Sequence, residues 1–433
     1  MFQTLKTIGF TSALVATSLY AGPKFNFNDG KSSLEIGTIM QWWGAVTPDP
    51  QNVPETDSRA DLYLRRGQLK LKGQVMPSLM FQTVFAYDNI GKDPYGGTSY
   101  GSGQDLNCSR LILQEAMMDY TLDPNLAVFT LGYFRPQTSR EFTGSFSAVS
   151  SLDYALTYGY VRQHLGTRSA GRETGADIGG QWSMPGLGGI NWHLGGFDAI
   201  QEKAKSYTST DLRGHHVWSP LWTGRLAITA GDMENPKQAM KSSVQAFGKR
   251  TGLTIGVYGS YQGYTDQLWD TTTKTSNGVT TTKITYAGGF NENSMLGYDL
   301  LGNWKGLALN GEIAWLHREG KPHPDSSKVS YTDQVWHVRT AYAYKLGDSL
   351  GFLEPSFTYS RFKGSDKSLQ NPGGEETQLD IGLNYYPAVK GMRIAVHYVR
   401  PDGEAKSQYT SGLSNGIQNF KNTTIVGEIL FSL

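Results

Sequence analysis

Residues 377–400 read TQLDIGLNYYPAVKGMRIAVHYVR. Leu379, Ile381, Leu383 and Tyr385 alternate with Gln378, Asp380, Gly382 and Asn384; past the short run 388–390, Met392, Ile394, Val396 and Tyr398 alternate with Arg393, Ala395, His397 and Val399. A period of two sends successive side chains to opposite faces of a strand, so this stretch predicts a hairpin with one oily and one wet face. The same rhythm recurs upstream. Leu253, Ile255, Val257 and Tyr261 alternate with Thr254, Tyr258, Ser260 and Gln262, and Leu79, Phe81, Phe85 and Tyr87 with Gln82, Ala86 and Asp88.

About sixteen such segments of roughly ten residues run along the chain, a length that crosses a bilayer when tilted. They lie near 33–43, 59–75, 79–88, 111–122, 126–135, 174–183, 189–198, 222–230, 252–262, 295–304, 307–318, 331–345, 350–362, 376–387, 391–400 and 422–433. Their connections alternate in length. Met76, Pro77 and Ser78, then Asp123, Pro124 and Asn125, the pairs Lys305-Gly306 and Gly347-Asp348, and 388–390 are tight turns. Between them lie long polar loops near 44–58, 89–110, 136–173, 263–294, 319–330, 363–375 and 401–421. A soluble sandwich has no reason to sort loops by side, whereas outer-membrane barrels carry short periplasmic turns and long external loops. The expected fold is therefore an all-β transmembrane antiparallel barrel of about 16 strands. Residues 231–250 break the parity: a short turn is due there, and either a brief helix or an overlooked hairpin would account for the excess.

Composition agrees. The chain has 433 residues with 52 glycines, 24 tyrosines, 10 tryptophans and one cysteine, and its mean hydropathy is −0.40. Barrel strands average out as polar because their lipid-facing and lumen-facing residues alternate. Trp42, Trp43, Tyr63, Tyr133, Trp182, Trp222, Trp304, Trp315, Tyr385 and Tyr398 crowd the predicted strand ends, as an interfacial girdle requires. Residues 1–21 read as a secretory signal peptide, with Lys6 in the basic region, an apolar run from Ile8 to Leu19, and Ala21 before Gly22. Its removal takes away one lysine and no acid, so the net charge falls from +1 to 0. A neutral chain gives no reason to expect nucleic acid. Cys108 is alone, which excludes an intrachain disulfide and a cysteine metal site. The barrel, 22–433, would face outer-membrane lipid and lipopolysaccharide.

Three stretches resemble the phosphate-selective porin O and P family. They are Leu64-Arg65-Arg66-Gly67-Gln68-Leu69 followed by Gly73; Phe129-Thr130-Leu131-Gly132-Tyr133-Phe134-Arg135-Pro136 followed by Ser139-Arg140-Glu141; and the hairpin Ile381 to Pro387 with Met392 to Tyr398. With the strand pattern, the resemblance spans most of 33–433. It implies a sixteen-stranded barrel, usually a homotrimer, with a basic constriction for anions and an inward-folding third loop, here 136–173.

The wet side of the dyads supplies basic lumen candidates at Arg65, Arg66, Lys70, Lys72, Arg225, Arg339, Lys345 and Arg393, with His193, His337 and His397. Acidic candidates are Glu35, Asp88, Glu115, Asp119, Asp177, Asp299, Glu312, Glu354, Asp380 and Glu428. The loop 136–173 adds Arg140, Arg162, Arg168 and Arg172 against Glu141, Asp153 and Glu173, a net +1. A loop of this length is usually functional, and arginine's planar fork suits phosphate or carboxylate. The competing reading is that these arginines pair with nearby acids and staple the loop to the wall. Arg65 and Arg66 are adjacent, so both face the lumen only if the strand bulges; the phase shift from Leu62 and Leu64 to Leu69 and Leu71, with Gly67, points to such a bulge.

The function expected is passive diffusion of small hydrophilic solutes with a preference for anions such as phosphate; the alternative is a structural or adhesive barrel with a closed pore. No cofactor is implied. Enzyme chemistry is not expected: the eight histidines are scattered, and His215-His216 has no metal-ligand spacing. A plugged transporter is disfavoured by the dozen or so residues between Gly22 and the first strand.

Overall fold

The computed structural model describes residues 22–48, 58–91, 111–124, 126–166, 171–184, 186–199, 219–234, 244–276, 279–321, 325–368, 373–389, 391–403 and 423–432. The signal peptide expected at 1–21, Cys108, Arg168 and His215-His216 lie outside them.

Two faces per strand and no room for an open edge in lipid dictate closure, and the chain closes. In order, the strands are β1 (Lys24–Phe27), β2 (Ser32–Pro48), β3 (Ser58–Met76), β4 (Leu79–Ile90), β5 (Ile112–Asp123), β6 (Ala127–Phe134), β7 (Glu173–Met184) and β8 (Gly188–Phe197). Then come β9 (Leu221–Gly231), β10 (Gly252–Gln262), β11 (Thr265–Ser276), β12 (Val279–Phe290), β13 (Glu292–Trp304), β14 (Leu307–Gly320), β15 (Val329–Tyr342) and β16 (Tyr344–Gly347). The last are β17 (Gly351–Lys363), β18 (Glu375–Tyr386), β19 (Met392–Gly403) and β20 (Thr424–Ser432). Sixteen of these are long barrel staves, each antiparallel to its neighbours. β20 pairs back onto β2, from Ile39↔Ser432 to Val46↔Ile425, which shuts the cylinder.

Of the other four strands, β1, β11 and β12 lie outside every predicted span, and β16 takes the end of one. β1 pairs with the start of β2, Lys24↔Glu35 to Phe27↔Ser32, extending the edge of β2 along which β20 runs. β16 continues β15 past Ala343, so the predicted strand 331–345 is broken in two. β11 and β12 form a separate hairpin inside 263–294, read from sequence as a polar loop. In 231–250, the described residues after Gly231 form neither helix nor strand.

The dyads fall on the expected faces. Ile381, Leu383, Ile394, Val396 and Tyr398 are exposed on the outer surface, and Asp380, Asn384, Arg393 and His397 are buried inside. Trp42, Trp182, Trp222 and Trp304 stand outward. Trp43 and Tyr63 do not belong to that girdle: they are buried in the lumen, edge to face at 6.2 Å. Alternation permits only one of two adjacent tryptophans to face lipid.

One inner-wall unit occurs twice. Asp380-Ile381-Gly382 on β18 faces His397 on β19, and Asp177-Ile178-Gly179 on β7 faces His193 on β8. Each imidazole lies across the glycine, with Nδ1 at 2.6 Å from Asp380 Oδ1 and at 3.0 Å from Asp177 Oδ1 respectively. A Cβ at Gly382 would stand 2.1 Å from the His397 ring, and one at Gly179 2.0 Å from His193. Gly382→Ala should therefore displace the ring and destabilise the barrel by about 1–3 kcal/mol, the usual cost of overpacking. The midpoint of urea unfolding of protein refolded into lipid measures it; an unchanged midpoint would mean the ring has somewhere else to go.

Candidate pore and constriction loop

After β6 the chain turns into the barrel at Arg135 and Pro136, and the described residues that follow, to Gly166, pack against the inner wall. Two short helices order it, α1 (Arg140–Thr143) and α2 (Leu156–His164), with a 3-10 turn at Phe146–Ala148 between them. Ser139 caps α1 by accepting from the Phe142 N–H at 3.1 Å. Where the segment lies buried against the wall it is shielded from water, so most of its polar groups need partners there.

Those partners circle the lumen. Ser139 donates to Glu312 on β14. Glu141 accepts from Arg339 on β15 through both oxygens, at 2.7 and 2.8 Å. Arg140 donates to Asp299 on β13 at 2.8 Å and, with both terminal nitrogens, to Glu234 at 2.6 and 2.7 Å. On the β18–β19 side, Arg393 holds the Val149 carbonyl at 2.6 Å, Asn384 the Ser150 carbonyl at 2.7 Å, and Asp380 the Leu152 N–H at 2.9 Å. Along α2, Thr157 bonds His337, Tyr160 donates to Glu376, and the His164 carbonyl accepts from Asn293 and Arg318. Arg172 closes the circuit on Glu115 of β5 at 2.7 Å.

The loop also has an apolar core. Phe142, Phe146, Leu156, Tyr160, Val161 and Leu165 pack with wall residues including Phe134, Phe197, Leu221, Tyr258, Leu316 and Phe362. Tyr160 stacks on Phe362 at 3.7 Å and Tyr154 on Tyr158 at 4.0 Å. The interior is thus partly filled, not wet throughout as the strand pattern alone suggests.

The bulge is present. Pairing passes from Gln41↔Arg66 to Trp42↔Leu64, leaving Arg65 as the extra residue. Both guanidinium groups consequently turn inward onto one carboxylate: Arg65 reaches Asp153 at 3.2 Å and Arg66 at 2.8 Å. Arg66 also lies 4.6 Å over the Phe146 ring, and Arg65 5.1 Å over Trp43.

Of the other sites expected from sequence, Arg225 pairs with Asp299 and donates to the Thr138 carbonyl, and Arg393 pairs with Glu428 at 2.6 Å. Arg162 lies 5.8 Å over Tyr158, and Lys70 lines a cavity described below. Arg65, Arg66, Arg140, Arg172, Arg225, Arg339 and Arg393 all have carboxylate partners, so stapling of the loop accounts for much of the arginine content.

Burial pushes the Glu141 carboxyl up, but the Arg339 guanidinium beside it, with His337 and the Ala155 N–H, overrides that and holds it at about 2. For Asp153 burial acts in the same direction, and Arg66 and Arg65 bring the carboxyl below its ordinary range.

The loop leaves space against the β3–β10 side. One chamber of about 180 Å³ is lined by Gln68, Lys70, Gln82, Gln114, Glu115, Arg135, Gln137 and Arg172. A narrower one of about 40 Å³ is lined by Gln137, Arg140, Gln181, His193, Arg225 and Glu234. Gln137 and Thr143 border both. Below the loop a wider vestibule of about 590 Å³ opens toward the short turns. Arg135 was overlooked as a site residue although it stands in the Gly-Tyr-Phe-Arg-Pro motif. It is held by the Phe142 and Gly144 carbonyls at 2.9 and 2.6 Å and by the Tyr154 hydroxyl, and no carboxylate among the described residues pairs with it. The glutamine wall and Glu234 were also missed; neither amides nor a lone acid in an irregular stretch give a sequence signal. Among the described residues no cluster of His, Cys, Asp and Glu could hold a metal.

No family model matches the chain, and no curated protein sequence matches it. Solved structures do. An anion-selective porin from Comamonas acidovorans is similar over 93% of this chain and 100% of its own, at 13% identity and a TM-score of 0.53. OmpF of Salmonella typhi, in complex with daunomycin, is similar over 94% and 100%, at 13% identity and 0.53. Outer-membrane expressed OmpT of Vibrio cholerae is similar over 94% and 100%, at 10% identity and 0.51. At such identities the likeness is one of fold: this chain has the barrel of outer-membrane porins.

Proposed function

We propose that the protein is an outer-membrane pore through which small hydrophilic solutes diffuse passively, with a preference for anions. The carrying observation is the charge of the space beside the loop. Lys70, Arg135, Arg140, Arg172 and Arg225 line the two chambers, whose own lining carboxylates are Glu115 and Glu234, and Arg135 at their edge is neutralised by no carboxylate among the described residues. Within a low-dielectric wall even one or two uncompensated charges at a narrowing decide which ion enters. Arginine forks and amide donors suit oxyanions such as phosphate and small carboxylates. The homotrimer implied by the sequence resemblance belongs to this reading, and native mass spectrometry of the detergent-solubilised protein tests it.

The experiment for the pore is the reversal potential of purified protein in a planar bilayer under a salt gradient, repeated with phosphate in place of chloride. Anion preference predicts a potential displaced toward the anion's equilibrium value. A displacement toward the cation's would refute the preference. The competing reading, a closed structural barrel, draws on the near-complete ring of loop-to-wall contacts; it predicts no current at all.

A further inference from the structure

The vestibule below the loop, about 590 Å³, has a volume typical of small-molecule sites. Its roof is Ser147 and Ala148, while the preceding residues Ser145 and Phe146 line the 180 Å³ chamber above, so the 3-10 turn stands between the two spaces. One side of the vestibule is built by the irregular segment after β9. There Ala246, Phe247, Gly248 and Lys249 make a tight turn, closed by the Lys249 N–H donating to the Ala246 carbonyl at 2.8 Å. Both central residues have positive φ, 47° at Phe247 and 75° at Gly248. Turns of this kind favour Asn, Asp or Gly at both positions, and a bulky side chain at positive φ is an outlier.

The phenylalanine ring explains the outlier. It stands 4.8 Å from Tyr386, edge to face, and 5.2 Å from Phe352, so three rings from three elements form one aromatic shelf bordering the vestibule. Plain core packing would bury the ring, as it buries Phe142 and Phe362; Phe247 instead remains half-buried. Two residues on, the Lys249 side chain borders the same cavity and is exposed. Lys345 and Arg393 also line the vestibule but are paired, with Asp348 and Glu428 respectively, which leaves Lys249 as the ammonium nearest the shelf in sequence. Strained residues held by their surroundings cluster at ligand clamps, and an aromatic shelf with such an ammonium beside it is complementary to a flat ring bearing one negative charge.

We infer that this vestibule is a binding site for small aromatic carboxylates, the ring on the Phe247–Phe352–Tyr386 shelf and the carboxylate on Lys249. The inference deepens the pore reading, on which only the solute's route to the site rests; binding itself needs no current. An inorganic oxyanion gains nothing from the shelf, and a cationic ring is repelled by Lys249.

Isothermal titration of the full-length, detergent-solubilised protein with benzoate, acetate and benzylamine tests it. Benzoate should bind saturably, acetate at least tenfold more weakly, and benzylamine not at all. Phe247→Gly keeps the turn's backbone without strain and removes the ring; Phe352→Leu removes a second ring from the barrel wall. Each should weaken benzoate at least tenfold, and Lys249→Gln should weaken benzoate but leave benzyl alcohol unchanged. Acetate binding as tightly as benzoate, or Phe247→Gly and Phe352→Leu both retaining wild-type affinity, would overturn the site. Bilayer recordings separate the two readings. Benzoate binding without current leaves the site standing and removes the pore, whereas current without benzoate binding does the reverse.

Discussion

Arg339→Ala should release the first limb of the constriction loop and raise single-channel conductance severalfold. Glu141 is buried, and Arg339 is the residue that makes two direct hydrogen bonds to its carboxylate; His337 stands at 3.7 Å. Removing one partner of a buried ion pair leaves an uncompensated charge and costs about 3–5 kcal/mol, whereas replacing both partners with apolar groups is often neutral. Arg339→Met combined with Glu141→Leu should therefore keep the loop docked and the conductance near wild type. That contrast separates a positional role for the pair from a direct role of either charge in permeation. Equal conductance in wild type and Arg339→Ala would mean that the remaining wall contacts hold the limb unaided.

Proton linkage gives the same pair a pH signature. A carboxyl whose folded value is depressed to about 2 contributes stability that is fully present above the ordinary carboxylate range. That contribution declines as pH falls from there toward 2 and is gone below it. Wild-type conductance should thus be flat between pH 7 and about 5, then rise in acid as the loop loosens. In the double variant the acid-induced rise should be smaller.

The barrel was legible because alternation is a local property. Each of the sixteen predicted strand spans overlaps an observed stave, since a strand between water and lipid must show its pattern within its own ten or so residues. Even the bulge at Arg65 left a trace, in the phase shift between Leu64 and Leu69. The loop's limits were legible for the same reason, as the gap between two dyad runs. What fills the lumen was not. A census of charges finds Arg140, Arg339 and Glu141, but the Glu141–Arg339 contact joins residues 198 positions apart, and no local pattern encodes it. The apolar side chains of the loop were equally silent: Phe142, Tyr160 and Val161 read as scattered residues in a polar stretch, and only the closed wall around them makes a core. Trp43 faces the lumen although it stands at a strand end, because position along a strand does not fix which face a ring occupies.

Asp153→Asn is the substitution expected to change selectivity most. Asp153 lies between two adjacent cations, Arg65 and Arg66, each within ion-pair distance of it. Both guanidinium groups are buried; their remaining hydrogen-bond partners, Asn89 for Arg65 and Gln41 for Arg66, are neutral amides, and the other nearby carboxylate, Asp88, acts on them only through space. Arginine does not shed its proton to escape such a site. The asparagine therefore adds one positive charge to the lumen and leaves two like charges side by side, a cost of about 3–5 kcal/mol by comparison with other broken buried pairs. The system has two ways to relieve it. The loop can swing away from β3, which widens the pore, or a mobile anion can occupy the vacated position, which makes the pore prefer anions more strongly. Either path moves the reversal potential or the conductance, and they are distinguishable: occupation by chloride or phosphate saturates with anion concentration, while a displaced loop does not. Arg65→Ala combined with Asp153→Asn restores a single cation and should undo most of the change. If Asp153→Asn alters neither quantity, the Arg65–Arg66–Asp153 cluster is a structural staple lying off the permeation path.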